Sequence, residues 1–213
     1  MRELTYAERP AVGDADGMLI LHHGRGADEN ELLGLADALD RVHRLHVVLP
    51  RGPLTFPDLD GYHWYGVREV GYPEPETFQV GYAALCRFHD EIWNSSDIPP
   101  ARTVLGGFSM GTAMSYATGL GTERPRVAGI LAFSGAIPTV ASWAPELQTR
   151  AGMPVLITHG RTDQALPIEF AHRARALLGD AGLDVNYLES AGGHEVDELA
   201  IGQAIQWLAG VLR

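Results

Sequence analysis

Cysteine and positive charge are both scarce in this 213-residue sequence, and each scarcity excludes a class of protein. The single cysteine, Cys86, cannot form an internal disulfide, which fits a reducing compartment such as the cytosol. Sixteen basic residues face 27 acidic ones, for a formal charge of −11 at pH 7. We therefore expect no nucleic-acid partner and no stable insertion into an anionic membrane.

Long apolar runs are missing as well. The longest, such as Val127 to Phe133, fall far short of the ~20 residues that a membrane-spanning helix needs. The first ten residues, Met1 to Pro10, contain no apolar core long enough for a signal peptide, so we expect a cytoplasmic protein. The chain also lacks internal repeats and linkers, which predicts one domain over residues 1–213.

Six short apolar runs alternate along the chain with amphipathic segments. Most of the runs lack apolar–polar alternation, which is typical of strands covered on both faces of a parallel sheet. The runs are Met18–His22, His46–Leu49, Thr103–Leu105, Ala128–Phe133, Val155–Thr158 and Val185–Leu188. The gaps carry apolar residues at helical spacing, for example Phe170, Ala174 and Leu178. This alternation predicts an α/β fold, a three-layer α/β/α sandwich with a mainly parallel sheet.

Residues 52–76 interrupt this alternation with four prolines and five aromatic residues, among them Phe56, Trp64 and Tyr65. A loop of this length inside a compact domain is uncommon and often forms a lid or the wall of a binding pocket. The alternative is that the aromatic side chains pack the loop against the body of the protein. The two roles are compatible, and the sequence favours neither.

The main chemical signal is the pattern Gly-x-Ser-x-Gly at Gly107–Gly111, between a predicted strand and a predicted helix. A nucleophile elbow needs this context, because its serine occupies a tight, strained turn in which only small neighbours avoid a clash. The turn exposes the Ser109 hydroxyl at the carboxyl edge of the sheet, where ligands bind in such folds. The alternative is a glycine-rich turn with a passive serine.

An acid and then a histidine should follow the serine. Asp163 and His194 each come just after a predicted strand, so both side chains arrive at the same edge of the sheet as Ser109. His194 would take the hydroxyl proton during attack and return it to the leaving group. Asp163 would fix the imidazole tautomer and stabilise the imidazolium.

Glu195 and Asp197 compete with Asp163 for the role of the acid because both lie close to His194 in sequence. Glu195, however, is adjacent to the histidine, and Asp197 begins a helix, where an acidic residue serves as a favourable N-terminal charge. We therefore favour Asp163.

An oxyanion hole needs two backbone donors. One is predicted to be the N–H of Met110, directly after the nucleophile. The other should come from the glycine-flanked turn after the first strand, where we favour the N–H of Arg25 and keep Gly26 as the alternative. The Arg25 side chain either anchors a charged substrate or faces solvent.

Further residues are assigned to the surroundings of this site. Those expected to bind substrate are Phe108, Trp64, Tyr65 and Leu166. His22, His23 and His159 lie near predicted strand ends, where we expect them to brace the turns of the site by hydrogen bonds rather than to take part in catalysis.

Taken in order, these motifs resemble those of an α/β-hydrolase, and more narrowly the phospholipase/carboxylesterase family that includes bacterial carboxylesterases and acyl-protein thioesterases. The motifs are the strand and turn at 18–26, Gly107–Gly111, the loop with Asp163, and Gly193-His194. The resemblance covers nearly the whole chain. It implies a hydrolase of carboxylic esters or thioesters with Ser109, Asp163 and His194 as its triad, and with neither a metal nor an organic cofactor.

The sequence departs from the family's pattern at two positions. Arg25 stands where an apolar residue is common, and Met110 stands where acyl-protein thioesterases usually have glutamine. We therefore do not expect activity on lipidated proteins.

The function that these observations predict is a carboxylesterase that cleaves small to medium acyl esters through an acyl-enzyme. A thioesterase or lysophospholipase with the same triad is the first alternative, and a non-catalytic acyl-binding protein is an alternative of another class. The expected partner is a small-molecule ester. The sequence is compatible with a homodimer but contains nothing that requires one.

Overall fold

A computed structural model of the protein describes residues 3–212, and its centre is a seven-stranded β-sheet. Met1, Arg2 and Arg213 belong to the predicted domain but lie outside the described residues. In chain order the strands are β1 (Tyr6–Arg9), β2 (Gly17–His22), β3 (Leu45–Pro50), β4 (Leu54–Phe56), β5 (Leu59–His63), β6 (Val67–Glu69), β7 (Tyr72–Pro73), β8 (Thr103–Phe108), β9 (Gly129–Phe133), β10 (Pro154–Gly160) and β11 (Asp184–Ser190).

The main sheet has the order β1-β3-β2-β8-β9-β10-β11, and every neighbouring pair is parallel except β1 with β3. The six predicted strands are confirmed as β2, β3 and β8–β11, with ends that differ by at most three residues. β1 was not predicted, because a four-residue edge strand with two charged residues carries almost no apolar signal. The predicted α/β fold is confirmed.

Helices cover both faces of the sheet and give the molecule three layers. They are α1 (Leu33–Leu39), α2 (Pro75–Ser95), α3 (Met110–Leu120), α4 (Glu169–Asp180) and α5 (Glu198–Val211). Alternate residues of β2 enter opposite cores: Ile20 packs in the cluster that includes α2, α3 and α4, and Leu21 packs in the cluster with α1 and α5. None of the helices in residues 3–212 is long and apolar enough to cross a bilayer.

The segment 52–76, which the sequence predicts as a loop, forms two short hairpins instead. β4 pairs antiparallel with β5, and β6 pairs antiparallel with β7. The first hairpin is joined to the turn after β2 by the backbone bonds Gly26 N to Tyr62 O (3.0 Å) and Tyr62 N to Ala27 O (2.9 Å). These bonds link segments more than thirty residues apart, so no local pattern in the sequence predicts them.

Candidate active site

The turn between β8 and α3 holds Ser109 in a strained conformation, with φ +54° and ψ −115°. A side chain at Gly107 would collide with the backbone of Gly111, and one at Gly111 would collide with the carbonyl of His22. Only glycine therefore lets β8, α3 and the end of β2 approach so closely. Strain of this kind is typical of functional turns.

Hydrogen bonds to the neighbouring strand β9 hold the elbow in place. The Ser109 N–H donates to the Phe133 carbonyl at 3.0 Å. The buried Thr112 hydroxyl lies 2.7 Å from the same carbonyl and 2.6 Å from that of Gly107. The position of the Ser109 side chain thus depends on a rigid, buried frame rather than on a mobile loop.

The three side chains predicted as a triad meet at the carboxyl edge of the sheet. His194 Nε2 lies 2.8 Å from Ser109 Oγ, and His194 Nδ1 lies 2.7 Å from Asp163 Oδ2. An ionised carboxylate only accepts, so Nδ1 carries the proton and Nε2 is left to accept the serine hydroxyl. The Phe108 ring packs against the imidazole, with centroids 4.8 Å apart.

The Asp163 carboxylate is fully buried and surrounded by donors. Its Oδ1 accepts from the N–H groups of Ala165 (2.9 Å) and Leu166 (2.8 Å), while Oδ2 faces His194. His159 Nε2 donates to the Leu166 carbonyl at 2.8 Å and lies 3.3 Å from Asp163 Oδ2. The predicted bracing role of His159 therefore agrees with its contacts.

The two competing acids have other roles. Asp197 caps the N-terminus of α5 by accepting from the Ala200 N–H at 2.9 Å, and its pKa is lowered by hydrogen bonds from the Ser190 hydroxyl and from that backbone N–H. The backbone carbonyl of Glu195 lies 3.4 Å from the Ser134 hydroxyl, and its carboxylate makes no hydrogen bond or ion pair with another group of residues 3–212. The geometry leaves Asp163 as the partner of His194.

The turn after β2 leaves the N–H of Arg25 without an acceptor beside the same site. Its neighbours are occupied: the Gly24 N–H donates to Glu31 Oε2 at 2.8 Å, and the Gly26 N–H donates to the Tyr62 carbonyl. Within residues 3–212, the N–H groups of Arg25 and Met110 have no acceptor. Gly26, the alternative donor, is thus excluded by its own hydrogen bond, and Arg25 and Met110 line one cleft with Ser109 and His194.

Two buried histidines, His22 and His23, lie where β2 ends and this turn begins. His23 is 2% exposed, its Nδ1 donates to the Gly24 carbonyl (2.7 Å), and its Nε2 accepts from the Gly52 N–H (2.8 Å). Burial lowers the pKa of His23, which keeps the ring neutral as these bonds require. His22 is fully buried and lies 2.7 Å from the Ser115 hydroxyl and 3.1 Å from His89 Nε2. His23 therefore contacts the turn as predicted, whereas the hydrogen bonds of His22 go to α3 and α2 rather than to a turn of the site.

The cleft above Ser109 has a volume of about 320 Å³ and mostly apolar walls. Three of the four predicted substrate-binding residues, Phe108, Tyr65 and Leu166, line it. The prediction for Trp64 was wrong: its side chain is fully buried, and its indole N–H donates to the His23 carbonyl at 3.0 Å. An aromatic residue next to a pocket wall carries no sequence signal of which way it faces.

Sequence reasoning missed other parts of the cleft wall. Val67, Val70 and Gly71 come from the β6–β7 hairpin, Ala136 from the loop after β9, and Glu31 from the segment before α1. None of them belongs to a motif. The hairpin residues could have been found only through the prediction that 52–76 forms a pocket wall, which did not name them.

A comparison with protein families decides the family of this chain. A model described as phospholipase/carboxylesterase matches residues 10–212. The chain belongs to this family. Among curated members, an acyl-protein thioesterase 1 from Neurospora crassa is 34% identical over 207 residues, which is 87% of this chain and 82% of the relative.

Solved structures of hydrolases share the fold of this family member. The esterase PE8 is 27% identical, with a TM-score of 0.87, over 99% of this chain and all of its own. A carboxylesterase from Mesorhizobium loti is 23% identical, with a TM-score of 0.83, over 97% of this chain and 95% of its own. The family, the Neurospora crassa relative and the esterase PE8 support hydrolase activity on esters or thioesters.

Proposed function

We propose that this protein is a carboxylesterase that cleaves small to medium acyl esters through an acyl-enzyme on Ser109. The observation that carries the proposal is the pair of hydrogen bonds made by His194, 2.8 Å to the serine hydroxyl and 2.7 Å to the Asp163 carboxylate. A passive serine in a glycine-rich turn would not need an imidazole oriented by a buried acid.

Acylation begins when Ser109 Oγ attacks the ester carbonyl as His194 Nε2 takes the hydroxyl proton. The carbonyl oxygen becomes an oxyanion, and the free N–H groups of Met110 and Arg25 are the donors that would bind it. Asp163 stabilises the imidazolium. The C–O bond to the alcohol then breaks, and His194 gives its proton to the leaving oxygen.

Deacylation repeats these steps with water in place of the serine. His194 removes a proton from a water molecule that attacks the acyl carbonyl, and the oxyanion forms again between Met110 and Arg25. The ester bond to Ser109 breaks, and the proton from His194 restores the serine hydroxyl. The products are a carboxylic acid and an alcohol, with no further reactant required.

The size of the acyl group follows from the cleft. A cavity of about 320 Å³ lined by Val67, Val70 and Leu166 accommodates a short or medium acyl chain. The cytoplasmic location, the single-domain organisation, a homodimer and the absence of a cofactor stay predictions from the sequence.

Thioester hydrolysis is the second candidate function, and the names of the relatives favour it. The same serine, imidazole and oxyanion donors cleave a thioester, whose thiolate is a better leaving group than an alkoxide. Lysophospholipase activity would use the same machinery. A non-catalytic acyl-binding role is disfavoured, because binding needs no general base at the serine.

The test compares Ser109→Ala with Ser95→Ala, a control serine on the exposed end of α2. With p-nitrophenyl butyrate, Ser109→Ala should lose at least ~10³-fold in kcat, because the nucleophile is absent, while Ser95→Ala keeps the wild-type rate. Near-normal turnover by folded Ser109→Ala would overturn the mechanism. Parallel assays with butyryl-CoA and a lysophospholipid rank the ester against the two alternatives.

A further inference from the structure

A second cavity of about 380 Å³ adjoins the catalytic cleft. Arg25, Tyr65 and Val67 line both cavities, so the two lie side by side. We call the second cavity the side pocket; its polar lining consists of Arg25, Asp58, His63, Arg68 and Glu74. None of these side chains is used by the mechanism above.

The two arginines of the side pocket have no ionic partner. No carboxylate of residues 3–212 lies within 4 Å of the guanidinium of Arg25 or Arg68. Some arginines elsewhere bind a carboxylate through two nitrogens, such as Arg44 with Asp16 and Arg124 with Asp90, and others, such as Arg41, have no carboxylate of the described chain within 4 Å. The side chains of Arg25 and Arg68 are both exposed and line the side pocket, so their guanidinium groups give it positive charge that a ligand can reach.

The positions of the two carboxylates that line the side pocket are explained by features other than the arginines. Glu74 is the N-cap residue of α2, where a negative charge is favourable, and its Oε2 accepts from the Thr77 hydroxyl at 2.8 Å. Asp58 is exposed between β4 and β5. Neither carboxylate neutralises Arg25 or Arg68.

His63 adds a buried polar atom without a partner. The residue is 2% exposed, and its Nε2 makes no hydrogen bond to any group in the described chain. Burial lowers the pKa of His63, a hydrogen bond to the Asp60 backbone partly opposes this, and the nearby charge of Arg25 lowers the pKa further. Buried polar atoms are nearly always hydrogen-bonded, so a water held between this nitrogen and a ligand in the side pocket would complete its hydrogen bonding.

We propose that the side pocket binds a free carboxylate of the substrate, so that the preferred substrates are half-esters of dicarboxylic acids. This inference rests on the proposed esterase function. The planar guanidinium of Arg25 matches a carboxylate, while its backbone N–H serves the oxyanion a few atoms away. A carboxylate monoanion suits the pocket better than a phosphate dianion, because Asp58 and Glu74 also line it.

The experiment measures kcat/KM for two p-nitrophenyl esters of equal chain length, the monoester of glutaric acid and the pentanoate. The ratio of the two values is compared in the wild type, Arg68→Gln and Arg25→Gln. The control is Arg41→Gln, which removes the same charge from a separate groove beside α1 and α5. The ratio cancels any effect of Arg25→Gln on the oxyanion turn.

We expect the wild type and Arg41→Gln to prefer the glutarate monoester about tenfold, and each pocket variant to lose most of this preference, as for one charge-assisted hydrogen bond. A wild-type ratio of one or below, or an equal drop in all three variants, overturns the inference. If the pentanoate is cleaved in a Ser109-dependent way without such a preference, the esterase function stands and the side-pocket proposal falls. If neither ester is cleaved, both fall.

Discussion

At the scale of single residues, the proposed chemistry depends on which backbone and side-chain groups are already occupied. Five backbone groups in the turn after β2 are bonded: the N–H groups of Gly24 and Gly26, and the carbonyls of His23, Gly24 and Ala27. The Arg25 N–H is left free among them. A donor that is held in place and has no partner costs no reorganisation when an oxyanion forms, which is the condition for efficient electrostatic stabilisation.

Glu31 is the side chain that tests this view, because its carboxylate accepts the Gly24 N–H at 2.8 Å and thereby positions the turn. Glu31→Ala should lower kcat about tenfold with little change in KM, less than the loss of a whole oxyanion donor. Steady-state kinetics with p-nitrophenyl butyrate measure both constants.

Glu31→Gln is the matched control for that variant. The glutamine oxygen still accepts from Gly24 although the negative charge is gone, so kcat should stay near the wild-type value. Equal kcat values in wild type and Glu31→Ala would show that the turn needs no such support. A similar loss in both variants would assign the effect to charge rather than to position.

The residues of the triad could be predicted because each follows a strand that the sequence marks clearly. Ser109, Asp163 and His194 come after apolar runs and lie in glycine-containing turns, so topology alone brings them to one edge. Glu31 could not be predicted in this way, because its contact with Gly24 depends on how the chain returns to α1. Trp64 was misplaced because burial, unlike strand position, depends on packing from distant segments.

At the scale of elements, the predicted parts of the fold are those whose stability comes from their own apolar pattern. The strands β2, β8, β9 and β10 are buried almost throughout and are recognised as continuous apolar runs. The hairpins β4–β5 and β6–β7 are short and largely exposed, with two paired positions each. Isolated hairpins of this size are at best marginally stable, so contacts with the rest of the protein determine them.

The same tertiary contacts hold the two hairpins in place beside the catalytic cleft. Besides the Tyr62 bonds, Arg51 at the start of the segment makes a bidentate ion pair with Glu29 and stacks over the Tyr62 ring. The β6–β7 turn reaches α4, where a side chain at Gly71, whose φ is +83°, would collide with Phe170. The segment 52–76 is therefore anchored at both hairpins while Val67 and Val70 face the cleft.

At the scale of the whole molecule, two buried histidines make the stability of the fold depend on pH. His22 and His89 are fully buried, and burial lowers the pKa of His22 to about 3 and that of His89 well below 6.5. The unfolded chain takes up protons at these residues below about pH 6.5, whereas the folded chain does not. Stability is therefore complete above that pH and decreases as the pH falls towards 3.

Urea unfolding between pH 5.5 and 7.5 tests this coupling. The free energy of unfolding should decrease as the pH falls below 6.5, and His22→Gln should reduce the slope by up to about 1.4 kcal/mol per pH unit, since one proton fewer is taken up on unfolding. Ile20→Val removes one methylene group from the core and no titratable group, so it should lower stability by about 1 kcal/mol and leave the slope unchanged. Identical slopes in wild type and His22→Gln would contradict the account.

Covalent labelling of the nucleophile tests the central claim most directly. The protein is treated with a fluorophosphonate, and the adduct is located by intact mass and peptide mapping. The account predicts one adduct per chain, on Ser109, and its loss in Ser109→Ala, because this hydroxyl has a histidine base at 2.8 Å and two unoccupied backbone donors in the same cleft. The Ser115 hydroxyl, which also lies close to a histidine, is fully buried and out of reach of the probe. A protein that stays unlabelled, or that is labelled at another serine, would contradict it.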